Sequence, residues 1–122
     1  MNKLVKSVSR TDLKQEFLKS LNGILGLTER ELDLLVTLID VDQSNLNVED
    51  SVKDVTNTAN RRHAMNTTGI TADNLSRYIK RFKEKGILVK GKYSGSTVVN
   101  PALIPDLIGN KTVQITIILK VI

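Results

Sequence analysis

The 122-residue chain contains no cysteine and no tryptophan. Disulfides and thiolate metal sites are excluded, and a reducing compartment fits. Phe and Tyr number two each, so Leu, Ile and Val must fill any core. The same scarcity argues against single-stranded RNA or DNA recognition by base stacking. One histidine, His63, makes neither a metal site nor a catalytic triad. There is no glycine-rich phosphate loop. The acidic pairs Glu49/Asp50 and Asp40/Asp42 stand in loop-like sequence without a partner motif. No enzyme chemistry and no cofactor are expected. No long apolar run opens the chain, so neither a signal peptide nor a membrane span is expected, and the cytoplasm is the default location. The length suits one domain, 1–122, with one core.

What is present is charge, unevenly spread. The net charge is +5. Residues 1–60 carry a balance of -3, whereas residues 61–100 carry +7, from nine cations against Asp73 and Glu84. Such asymmetry points to a polyanionic partner. The competing reading is a solvated charged helix.

Three helix starts share one local grammar: Val8-Ser9-Leu13, Leu27-Thr28-Leu32 and Ile70-Thr71-Leu75. Each sets a capping hydroxyl between two apolar residues at staple spacing. Ser9 with Asp12 resembles a capping box, and Thr28 with Glu31 is a full one. The first helix is expected from about Ser9 to Leu25, with Leu13, Phe17, Leu21 and Ile24 on one stripe, ended by Gly26. The second is expected over about Thr28–Asp40, with Leu32, Leu35, Leu38 and Ile39 inward. Asp42–Asn47 reads as a loop. The stretch 48–66 reads as one weak helix or as two, broken near Asn57.

Gly69 then offers a positive φ in a tight turn. A helix follows over Thr71–Lys85 with Leu75, Ile79 and Phe82 as core stripe and Gly86 as C-terminal cap. The β-prone runs Ile87–Val89 and Thr97–Val99 flank the turn dipeptide Ser94-Gly95. Asn100-Pro101 caps a helical turn through Leu107. In the final "TVQITIILKVI", Val113, Ile115, Ile117, Leu119 and Val121 alternate as in a strand.

Helix, glycine turn, capped helix, glycine and hairpin follow one another in the order of a winged helix-turn-helix. The phrase "GITADNLSRYIKRFKEKGILVK" resembles the turn, recognition helix and first wing strand of that family, and the resemblance covers about residues 28–100. The return into "VVNPALIP" is similar, more weakly, to plasmid and phage replication initiators of the RepL type. The chain departs from the family pattern before the turn, where Ala64, Met65, Thr67 and Thr68 replace a more apolar helix. The resemblance implies an α+β, mainly helical fold: a winged helix-turn-helix with an added N-terminal helix and a C-terminal β-strand. It also implies sequence-specific binding of double-stranded DNA by a transcription regulator or replication initiator.

The residues read the same way. With Leu75, Ile79 and Phe82 inward, the opposite face carries Asp73, Asn74, Ser76, Arg77, Lys80 and Arg81. Asn74 suits a bidentate contact to adenine, Ser76 is a short polar group near the helix end, and Arg77 suits guanine or a phosphate. Thr71 and Asp73 are better read as a cap and a dipole partner. Arg77, Lys80 and Arg81 are suited to clamping phosphates. Tyr78 belongs equally to the core edge or to a sugar-phosphate contact. Arg61 and Arg62, beside His63, add charge. Lys90, Lys92, Tyr93, Ser94 and Ser96 surround the wing tip as a second DNA contact, with lysines that reach phosphates or the minor groove; the competing reading is charge that resists edge-to-edge aggregation.

Residues 28–60 hold eight acids against Arg30 and Lys53. They read as ordinary surface or as a docking patch for a basic protein partner; the alternative function is a winged-helix interaction module that docks on polymerase or replication machinery. The apolar C-terminal strand needs a cover: its own "KLVKSV" segment, or a second protomer. A homodimer built from the chain ends is expected.

Overall fold

The second helix runs a turn further than the sequence predicts, and the rest of the fold is arranged around it. The computed structural model describes residues 3–44, 54–92, 95–105 and 111–122. Over these residues the chain is α+β and mainly helical, with four helices and a two-stranded antiparallel sheet. The order is α1 (Leu13–Leu25), α2 (Glu29–Ser44), α3 (Thr58–Thr68), α4 (Ala72–Glu84), β1 (Leu88–Lys90), β2 (Thr97–Val99) and a 3-10 turn (Pro101–Leu103).

Helix α2 opens on the expected capping box. Thr28 Oγ1 accepts the Glu31 N–H, and Glu31 Oε1 accepts the Thr28 N–H, both at 3.2 Å. Leu32, Leu34, Leu35, Leu38, Ile39 and Val41 are all buried. At about 100° per residue these groups cover about half the circumference of α2, and α1, α3 and β2 pack about it. The expected loop from Asp42 is helical as far as Ser44, because Val41 and Asp42 are buried and engaged. Residues 45–47 of that loop lie outside the described residues.

Helix α1 starts at Leu13 rather than Ser9. The Ser9–Asp12 pair forms, with Ser9 Oγ accepting the Asp12 N–H at 3.2 Å, but as a turn ahead of the helix. Its buried stripe is also displaced. Phe17 and Leu18 are buried, Leu21 and Leu25 pack against them, and Ile24 is 62% exposed. At about 100° per residue, Leu13 and Ile24 sit at one margin of the face that meets α2.

Of the two expectations for 48–66, the break near Asn57 is the one found. Asn57 caps α3, its side chain accepting the Asn60 N–H at 2.8 Å. Residues 48–53 lie outside the described residues. The small Ala64 is fully buried and Met65 half-buried, so α3 packs on α2 through little apolar surface. Gly69 closes α3 at φ 74°, donating to Met65 O at 2.8 Å.

Helix α4 is capped by Thr71, whose Oγ1 accepts the Asn74 N–H at 3.4 Å. Leu75, Ile79 and Phe82 are buried as expected. Gly86, at φ 74°, donates to Lys83 O, and Ile87 donates to Phe82 O. These two bonds form a Schellman closure, which turns the chain into the hairpin.

The hairpin pairs Leu88 with Val99, Val89 with Val98 and Lys90 with Thr97. The outer edge of β2 is occupied as well. Thr97 O accepts the Val55 N–H at 2.9 Å, and the Val99 N–H donates to the buried Asp42 Oδ2 at 3.0 Å. Asn100 fixes the base of the hairpin: its Nδ2 donates to Gly86 O at 3.0 Å and its backbone N–H to Ile87 O at 2.9 Å. The expected turn after Pro101 is present over Pro101–Leu103, while 106–110 lie outside the described residues.

The expected C-terminal strand does not form. Residues 113–122 join no sheet in the chain. Beyond Val113, which packs on the core, their apolar side chains are exposed. The alternative cover, Lys3–Val8, is also exposed, and Leu4 and Val5 stand clear of the core. Alternation sets a side-chain pattern, but a strand needs a neighbour for its backbone groups. No described helix is long and apolar enough to cross a membrane.

Candidate nucleic-acid interface

The three-residue turn Gly69–Thr71 joins α3 to α4, and the buried Ile70 pins it to the core. With Leu75, Ile79 and Phe82 inward, Asp73, Ser76, Arg77 and Lys80 are exposed on α4 and Asn74 is half-buried. Among the described residues the structure records no protein partner for the side chains of Ser76, Arg77 or Lys80. Arg62 and His63 are exposed on α3, and Lys90 and Lys92 are exposed along the hairpin. Tyr93 and Ser94 lie outside the described residues.

Several expected contact residues are occupied elsewhere. Arg81 is the main correction. Its Nη2 donates to Gly26 O at 3.1 Å, and its Nε lies 3.2 Å from Glu31 Oε2. That second contact is an ion pair without hydrogen-bond alignment, for Glu31 Oε2 has no hydrogen-bond partner. Lys85, one turn on, donates to Leu25 O at 2.6 Å.

The physical reason lies at the C-terminus of α1. Its last carbonyls are unsatisfied and carry the negative end of the helix dipole. The last turn of α1 has no basic residue of its own, so α4 supplies both cations. Asn22 completes the joint by gripping Leu27, with Oδ1 accepting its N–H at 2.8 Å and Nδ2 donating to its carbonyl at 3.0 Å.

Arg61 is likewise engaged, its Nε donating to Thr56 O at 2.7 Å. Ser96 is buried, not a tip residue. It sits so close to Gly91 that a Cβ there would lie 2.2 Å from Ser96 Oγ. Thr71 acts as a cap, and Tyr78 packs at the core edge.

The acidic region 28–60 is less of a surface patch than its composition suggests. Glu31 and Asp42 are buried. Asp40 pairs with Lys14, and Asp54 accepts bonds from Thr56. Glu49 and Asp50 lie outside the described residues.

The internal role of Arg81 had a sequence signal. Asn74, Tyr78, Arg81 and Lys85 follow one another at spacings of four, three and four, and so share one flank beside the core stripe. That flank faces the joint of α1 and α2. Ser76, Arg77 and Lys80 lie further round. The buried Asp42 had no such signal, since its partner is a backbone N–H distant in sequence.

The face that remains carries the exposed carboxylate of Asp73, hydroxyl of Ser76, guanidinium of Arg77 and ammonium of Lys80. Comparison with protein-family models, with curated proteins and with solved structures finds no match to the chain.

Proposed function

We propose that this protein is a winged helix-turn-helix that binds double-stranded DNA in a sequence-specific manner, as a transcription regulator or a replication initiator. In this reading α3, the turn Gly69–Thr71 and α4 form the helix-turn-helix, and the hairpin is the wing. The observation that carries it is the outward face of α4. Ser76, Arg77 and Lys80 are presented there without protein partners, and a lysine-bearing hairpin follows directly through the Gly86 closure. Residues at the N-terminal end of α4 contact base edges, and the cations hold phosphates.

With Arg81 and Arg61 held internally, Arg62, Arg77, Lys80 and Lys90 are the principal phosphate contacts. Neutralising about four phosphates gives a slope of log K against log salt of roughly -3 to -4. A gel-shift titration of random duplex DNA at two salt concentrations measures this slope. Binding indifferent to salt between about 50 and 200 mM would rule the reading out.

A further inference from the structure

Ten large apolar side chains stand exposed among the described residues, and six of them lie between Ile115 and Ile122. Ile118 and Leu119 are 77% and 81% exposed. The nearest sheet offers these residues no place on β2, whose outer edge is held by Val55 and Asp42.

We propose that residues 113–121 pair with the same residues of a second copy, as antiparallel β-strands about a two-fold axis through Ile117. Three features select a second copy. First, the alternation is strand-like, so beyond the single bridge at Thr112 the tail has a side-chain pattern and no ladder. Second, the tail is self-complementary in one register. With Ile117 opposite itself, Ile115 meets Leu119 and Val113 meets Val121, which makes one continuous aliphatic face. Third, the charges agree with that register. Lys120 falls opposite Gln114, and Lys111 lies beyond the paired stretch, so no like charges face each other.

A two-stranded ribbon is only marginally stable alone. Nine residues a side also fall below the roughly 20–30 of a standard interface.

The lack of native cysteine makes the test direct. Ile117→Cys places one thiol in each copy at the axis, where directly opposite Cα atoms are about 4.5–5.5 Å apart, within disulfide reach. Val121→Cys, at an exposed position, places its two thiols about 26 Å apart along the ribbon. With oxidised glutathione and no DNA, Ile117→Cys is expected to form covalent dimers at least about tenfold faster than Val121→Cys. A mixture of Ile115→Cys and Leu119→Cys chains is expected to cross-link as a heterodimer. Sedimentation of the unmodified chain at tens of micromolar should give twice its 13.5 kDa mass. Ile117→Lys, with two ammonium groups at the axis, should sediment as a monomer with an unchanged helical circular dichroism spectrum. A monomeric unmodified chain, or Val121→Cys linking as fast as Ile117→Cys, overturns the pairing. Neither readout involves DNA, so this failure is distinct from failure of the DNA-binding reading.

Discussion

Arg77 and Arg81 stand one turn apart on α4, and the structure gives them opposite work. Arg77 points away from the core with no protein partner recorded. Arg81, 46% exposed along its side chain, bridges a buried carboxylate and the closing carbonyl of α1. The residue type is the same and so is the helix. The difference is position round the helix: Arg81 lies on the flank that meets the α1–α2 joint, where carbonyls wait for a donor. The local charge of a basic helix thus divides into cations that hold the helix in place and cations left for a partner. A helix can present the second group steadily only because the first fixes its rotation.

The sharpest way to break this division is at Glu31. Glu31→Ala removes the returning arm of the α2 capping box and leaves Arg81 without its counter-charge. A loss of about 3 kcal/mol in unfolding free energy is expected by urea titration. A loss below about 0.5 kcal/mol would mean that the joint is not energetically important.

Arg81→Ala should cost less, about 1–2 kcal/mol, because its guanidinium is partly solvated. Arg81→Lys should recover little of this, since an ammonium cannot span the carboxylate and the carbonyl as a planar fork does. In the Glu31→Ala background, Arg81→Ala should be nearly silent.

Arg77→Ala sharpens the comparison from the other side. Stability should stay within about 0.5 kcal/mol, while the salt slope of DNA binding should become shallower by about 1. If Arg77→Ala destabilises the fold and Arg81→Ala only weakens DNA binding, the assignment is reversed.

The smallest effect belongs to the surface pair Lys6–Glu16, with 2.6 Å between Nζ and Oε2. The hydrogen bond from Lys6 lowers the Glu16 pKa below its ordinary value, while desolvation opposes the shift. The folded pKa lies below the unfolded one. The stabilising contribution is therefore present at pH above the unfolded value and lost as pH falls through the folded one. Lys6→Ala should return the Glu16 titration, followed by NMR, toward that of a free carboxylate.

Much of the frame was legible because its signals are local. The Thr28–Glu31 box, the Thr71 cap, the positive-φ glycines at 26, 69 and 86, and the stripe Leu75–Ile79–Phe82 are each fixed within one or two turns. What escaped depends on distant partners. Helix α2 continues past Asp40 because Asp42 finds Val99, 57 residues away. Arg81 and Lys85 turn inward because α1 ends beside them. Within the candidate face, periodicity separated core from surface correctly but did not divide the surface between solvent and a neighbouring helix end. The terminal strand failed for a related reason: alternation describes one strand, and pairing requires two.

The grip of Asp42 on the Val99 amide also bears on how the fold opens. Two local openings, fraying at the C-terminal end of α2 and detachment of the hairpin, share that one buried bond. Either opening leaves the Asp42 carboxylate or the Val99 amide without its partner, so the two segments are expected to exchange their amide hydrogens together. The hairpin is thereby tied to the central helix through one buried bond.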